Sequence, residues 1–239
     1  MNLILFTAAE ALRPLPREDP RAVHLLEVLR RQPGDSFDAG LVNGPRGRGT
    51  LVAEEGGALT LAFAWGPPPP PPDAVTLILG LPRPQTARDI LREATTLGVS
   101  ALHFVRTGRS EAGYARSSLW REDAWRRHLL AGAAQAFATQ VPEVTHDLSL
   151  AGALAALPAG GTRLALDNYE AAAPLASHPI PREQPAVLAF GPERGWTAED
   201  RDRLRAGGFT LVHLGTRVLR LETAVVAALT LVKSARGSL

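Results

Sequence analysis

The chain contains no cysteine in 239 residues, which excludes disulfides, thiolate metal ligation and a cysteine nucleophile together. Of its 26 basic residues only Lys233 is a lysine, and every other is arginine. Arginine keeps its charge and grips phosphate through paired donors, a composition that fits a nucleic-acid partner. GC-rich codon usage explains it equally, together with the abundant Ala, Gly and Pro. The six histidines include no HxxxH pair, so no metal site is expected. No apolar run reaches the ~18 residues of a membrane span. The opening MNLILFTAAEALRPLP lacks the basic start and long apolar core of a signal peptide, so the expected location is the cytoplasm, with no membrane partner.

What is present supports a folded chain. Hydrophobic residues make up 45% of the sequence, enough for a core. The length suits one large or two modest domains. WGPPPPPPDA, Trp65 to Ala74, marks the clearest boundary, because consecutive prolines favour a stiff polyproline II spacer and join neither helix nor interior strand. Domains are expected over 1–66 and 74–239, with 67–73 as linker.

Before the prolines, RAVHLLEVLRRQPGD predicts a short helix with apolar positions Val23, Leu25, Leu26, Val28 and Leu29, stopped by Pro33-Gly34. The following stretch alternates and is punctuated by Asn43-Gly44 and Gly56-Gly57, the signature of a β-meander. After the prolines, strands alternate with helices: strand 74–81, helix 86–98, strand SALHFVRT, one long helix over 119–140, and a helix capped by Ser149 and stopped by Pro158. TRLALDN, PAVLAFG and TLVHLG read as further strands. WTAEDRDRLRAGGF carries Thr197 and Asp200 at capping-box spacing and Gly207-Gly208 as a stop. This alternation predicts an α/β domain with a mostly parallel sheet.

Two stretches carry candidate chemistry. In LAFGPERGWTAED a strand ends at Phe190, and Gly191 and Gly195 allow close backbone approach before a helix begins. Ligands of open α/β sheets bind at such strand ends. The segment is not a GxGxxG fingerprint, and no GxxxxGK[ST] loop occurs. HLGTRVLRLETAVVAALTLV repeats the layout, with Arg217, Arg220 and Glu222 at the mouth of an apolar helix. Glu222 suits a first helical turn, and an arginine paired with it is the plainest alternative reading.

FGPERGW and LGTRVLRLETAVVAAL together resemble the C-terminal signature of the bacterial 16S rRNA uridine N3-methyltransferases, the RsmE family of the SPOUT superfamily. HLLEVLRRQPGD, ATTLGVSALHFVRTGRS and QVPEV extend the resemblance over nearly the whole chain. It implies a SPOUT-type, mostly parallel sheet with a C-terminal deep trefoil knot near 186–236, preceded by a small PUA-like RNA-binding β-barrel domain. It also implies S-adenosylmethionine (SAM) held by Leu166, Phe190, Gly191, Glu193, Gly195, Leu214, Gly215, Val218, Leu219, Thr223 and Ala224. Arg220, then Arg217, would stabilise charge on the uracil oxygens, and Glu222 would take a proton or orient an arginine. RNA contacts are expected from His24, Arg30, Arg83, Arg109 and Arg116, although a histidine placed like His24 in an apolar helix is more often a packed core residue than a contact. The first domain has 7 basic against 8 acidic residues, whereas 106–127 holds six arginines against three acids and is the better electrostatic candidate. The implied partners are 16S rRNA or the small ribosomal subunit and a second copy of the chain.

The sequence departs from the family pattern in places. Arg194 stands for the usual Gly, Trp196 for Phe, Thr96 for Glu and Arg83 for Lys, and AGAAQAFA over 131–138 replaces a stretch that normally carries an acid and an arginine. These leave open a catalytically silent RNA-binding or ribosome-assembly protein, or a SPOUT methyltransferase with another RNA target. An unrelated α/β nucleotide-binding enzyme is disfavoured by the missing phosphate loops.

Overall fold

A computed structural model describes residues 3–238. The described chain divides into two compact units, one of residues 3–71 together with 133–141, the other of 72–132 and 142–238.

The first unit contains β1 (Ile4–Phe6), β2 (Leu15–Pro16), α1 (Pro20–Val23), β3 (Ser36–Leu41), β4 (Arg46–Glu55) and β5 (Ala58–Trp65). They form a five-stranded sheet in the order β1-β3-β4-β5-β2, with β1 parallel to β3 and the other pairs antiparallel. The meander read from the sequence is β3–β4–β5, and Asn43, at φ 57°, makes the first turn. Phe6, Phe37, Leu25, Leu51 and Leu59 fill its core.

The helix expected to run to Pro33-Gly34 is shorter. Asp19 caps α1 by accepting from the Arg21 N–H at 2.8 Å, a π-helical turn follows over His24–Val28, and Arg30 at φ 52° ends the helical path. Of the five apolar positions only Leu25 is fully buried, while Val23, Val28 and Leu29 are exposed. An aliphatic pattern does not guarantee burial when the turn is widened and stopped early.

The second unit contains β6 (Asp73–Gly80), α2 (Pro84–Thr96), β7 (Val99–Val105), α3 (Ser118–Arg121), α4 (Trp125–Gln135), β8 (Glu143–Thr145), α5 (Leu150–Ala155), β9 (Thr162–Leu166), β10 (Ala173–Pro174), β11 (Ala186–Phe190), α6 (Ala198–Ala206), β12 (Thr210–His213) and α7 (Leu221–Ala235). The last residues of α4 count with the first unit. The seven strands run β10-β12-β9-β11-β6-β7-β8, and every pairing is parallel. Strand β11 is buried along its whole length, as expected of a central parallel strand covered on both faces.

The single long helix expected over 119–140 is broken twice. Asp123 adopts φ 52° and its Oδ1 accepts from the Trp125 indole N–H at 3.0 Å, separating α3 from α4. Phe137 at φ 56° closes the end of α4, and the Arg46 guanidinium donates to its carbonyl at 3.0 Å. The Ser149 cap appears as read, accepting from the Gly152 N–H. So does the reciprocal capping box of Thr197 and Asp200.

Candidate functional site

Parallel register brings three strand ends together. Phe190 of β11 stands opposite Leu166 of β9 on one side and Leu79 of β6 on the other, and Leu166 is opposite Val212 of β12. The loops that leave β9, β11 and β12 therefore start side by side at the carboxyl edge, where open α/β sheets place their ligands. Together with the start of α7 and Arg83-Thr86 they enclose a cavity of about 720 Å³.

The loop after β11 is tightly built. Gly195, at φ 70°, returns its N–H to the Pro192 carbonyl at 2.7 Å. A Cβ on Gly191 would stand 2.8 Å from the Gly195 carbonyl carbon, and one on Gly80 would stand 2.4 Å from the Pro192 ring. Trp196 is buried behind the loop and donates its indole N–H to the Leu166 carbonyl at 3.0 Å, fastening this loop to β9. The Arg109 guanidinium donates to the Arg194 carbonyl at 2.6 Å, and the Gly108 N–H reaches Asp200 at 3.3 Å. These bonds tie the arginine-rich segment after β7 to the cavity's outer edge.

The loop after β9 turns on Asp167. Its Oδ1 accepts from the Tyr169 and Glu170 N–H groups at 2.8 and 2.6 Å, and its Oδ2 accepts from Arg201 Nε at 2.8 Å. Arg201 also lies 3.4 Å from Glu170, whose other oxygen pairs with Arg205.

The loop after β12 has an open backbone. Gly215, at φ 117°, bonds the His213 ring at 3.0 Å. Among the described residues no peptide group from Thr216 to Leu219 has a backbone partner. Peptide groups seek a partner wherever they sit, so this segment offers donors and acceptors to a ligand. Arg220 then forms the N-cap of α7 without a side-chain bond, leaving the helix's first N–H groups uncapped as well.

Of the residues named from the sequence, Leu166, Phe190, Gly191, Glu193, Gly195, Leu214, Val218, Leu219 and Ala224 line the cavity, with Arg83, Arg217, Arg220 and Glu222. Gly215 and Thr223 stand outside its wall. Arg109 touches a lining residue through the Arg194 carbonyl, and Arg116 is exposed on the short turn Tyr114–Arg116. His24 is half-buried and Arg30 exposed, both in the first unit. Among the described residues no ion pair joins Arg217 or Arg220 to Glu222; Arg83 instead faces Glu193 at 3.8 Å. Nor does any group of three or more His, Asp or Glu side chains there have the arrangement of a metal site.

Sequence reading passed over Gly80, Asp167, Tyr169 and Arg201. The glycine ending β6 was a findable signal. The Asp167–Arg201 partnership joins residues 34 apart and has no local mark.

Residues 69–233 match the family model described as an RNA methyltransferase domain. A ribosomal RNA small subunit methyltransferase E from Treponema pallidum is 32% identical over 237 residues, covering 95% of this chain and 89% of that protein. The chain belongs to the RsmE family. A Synechocystis member is 31% identical over 212 residues, covering 86% of this chain and 68% of its own length. Among solved structures, the RsmE of Neisseria gonorrhoeae, crystallised bound to S-adenosyl methionine, superposes with a TM-score of 0.81. It is 24% identical, and the match covers 98% of this chain and 97% of that one. A probable rRNA methyltransferase from Porphyromonas gingivalis gives 0.82 at 21% identity, covering 98% and 99%. At these identities the structures establish the α/β fold.

Proposed function

We propose that the protein is a SAM-dependent methyltransferase of small-subunit ribosomal RNA, acting in the cytoplasm on N3 of a uridine in 16S rRNA. The observation that carries the reading is the cavity at the joined strand ends, with close-packed glycine loops on one side and unpaired peptide groups and free arginines on the other. The residues present fit SAM. Leu166, Leu214, Leu219 and Ala224 give an apolar bed, Thr216 to Leu219 offer peptide donors and acceptors, and Glu193 and Glu222 suit a cationic sulfonium.

SAM bound there supplies an electrophilic methyl group. The chain's part is to orient the uracil, take the N3 proton and stabilise the charge that spreads to the neighbouring carbonyl oxygens. Arg220 at the α7 N-cap, with Arg217 beside it, is assigned to the oxygens; neither is neutralised by Glu222. Glu222, in the first turn of α7, is free to accept the proton. Positioning supplies much of the acceleration, a general base adds about 10²–10⁴-fold, and the arginines stabilise the developing charge.

RNA is held by Arg83 on the cavity wall, by Arg109 bonded to the Arg194 carbonyl, by Arg116 on the exposed turn Tyr114–Arg116, and by His24 and Arg30 of the first unit, which serves as a PUA-like RNA-binding domain. The C-terminal segment forms the trefoil knot. In its support, the path from β12 to α7 passes along the cavity wall formed by the loops after β9 and β11. A homodimer is supported by the half-apolar outer face of α7, where Val226 and Ala227 are only partly covered and Leu231 is 38% exposed.

Labelled SAM and small ribosomal subunits lacking uridine N3 methylation test the reading. Label recovered as 3-methyluridine at one position is the expected result, and Arg220→Ala should abolish most of it. SAM binding without any transfer would establish the silent, RNA-binding alternative, and label in a different nucleoside would move the target.

A further inference from the structure

Tyr169 is a large aromatic side chain, 76% exposed, on the wall of the cavity. Nothing in the assignment of SAM or of the charged groups uses it. Exposed tyrosines are common, but this one is tied to a buried ion pair through both its backbone and its ring. The Arg201 guanidinium lies 5.4 Å from the centre of its ring, and that arginine is buried and held by the buried Asp167 carboxylate at 2.8 Å. The same carboxylate accepts the N–H of Tyr169 itself. One ion pair thus holds both the backbone N–H of Tyr169 and the guanidinium over its ring, while most of the residue is left to solvent. Burying an ion pair gains little stability by itself, so its place under an exposed ring points to positioning.

Resting on the methyltransferase reading, we infer that Tyr169 is the stacking platform for an unpaired RNA base entering the site. Single-stranded bases are recognised chiefly by stacking on aromatic rings. A cation beneath the ring adds attraction on that side and holds its plane before RNA arrives. Val218, 80% exposed, lines the same cavity and adds apolar surface to it. The ring recognises a π face and carries no base identity; choice of uridine falls to the polar groups deeper in the cavity.

The test compares the wild-type chain with Tyr169→Ala and Tyr169→Phe. Fluorescein-labelled oligouridylate is titrated by anisotropy in the presence of S-adenosylhomocysteine, and SAM affinity is measured by calorimetry. The alanine variant is expected to bind the RNA about 5- to 150-fold more weakly, the usual range for losing one stacked base. The phenylalanine variant should bind within about threefold of wild type, because the π face is kept. SAM affinity should be equal in all three. Equal RNA binding by all three proteins, or no RNA binding by any, overturns the inference. So does an alanine variant that loses SAM instead, since the ring would then serve the adenine of the cofactor. These readouts do not depend on turnover. A wild-type protein that shows the ring effect but transfers no methyl group overturns the methyltransferase reading and leaves the platform standing.

Discussion

Replacing Asp167 by asparagine isolates the ion pair beneath the cavity with the least change in shape. The carboxylate is 2% exposed and accepts from two backbone N–H groups and from Arg201 Nε. In the asparagine variant the amide oxygen still accepts from Tyr169 and Glu170. The amide nitrogen, however, turns a donor toward Arg201, and the buried guanidinium keeps only the half-exposed Glu170. Breaking one side of a buried pair costs about 3–5 kcal/mol, and the surviving Glu170 contact places the expected loss near the lower end, ~3 kcal/mol. Arg201→Met strands the carboxylate in turn and should cost a similar amount. The double variant removes both charges, so its cost should fall at least about 1 kcal/mol short of the sum, as for any coupled pair. Urea unfolding followed by tryptophan fluorescence measures this, since Trp196 is bonded to the adjoining Leu166 carbonyl. Additive losses, or a single-variant loss below about 1 kcal/mol, would refute the view that the two side chains act as one element.

Gly191→Ala should weaken SAM binding far more than global stability allows for, because the new Cβ meets backbone of Gly195 and Trp196 that cannot rotate away. A strain of about 1–3 kcal/mol is expected, read by calorimetry, with Gly113→Ala as a control in open space. Thr197→Ala removes one half of the capping box and should cost about 1 kcal/mol in thermal unfolding, with SAM affinity retained. Burial raises the Asp73 carboxyl, but hydrogen bonding and charge from Lys233 outweigh this and hold it below the ordinary value. The contribution is therefore complete above the unfolded carboxylate pKa of ~3.9 and disappears as pH falls through the lower folded value. Asp73→Asn should cost at most about 1 kcal/mol at neutral pH and nothing at the acid end of a stability–pH profile.

The elements that could be read in advance are those whose signals are local. Ser149, Thr197 and Asp200 announce helix starts because a cap is made within four residues. The strands stand out because buried parallel strands are short apolar runs. The break at Asp123 left a weaker trace, since aspartate tolerates the left-handed region. The end of α4 left none. Phe137 takes a conformation usually reserved for glycine, and its carbonyl is met by Arg46, which lies 91 residues away in sequence. In the site, glycines that permit close approach were visible as letters, and most of the residues chosen on either side of them do line the cavity. What could not be seen was the mounting: Asp167, Arg201 and Tyr169 look ordinary until β9 and α6 are brought together.

The solitary lysine has a practical consequence. Lys233 is the chain's single side-chain amine, and on α7 it is held against Asp73 of β6, mostly out of solvent. An amine-selective acylating reagent competes with Asp73 for that amine, so labelling is fastest when the pair is open. Pulse acylation followed by peptide mass analysis therefore times the opening of the contact between α7 and β6 at one atom, on the unmodified protein. Ligands that bridge the cavity loops to α7 would register as slower labelling.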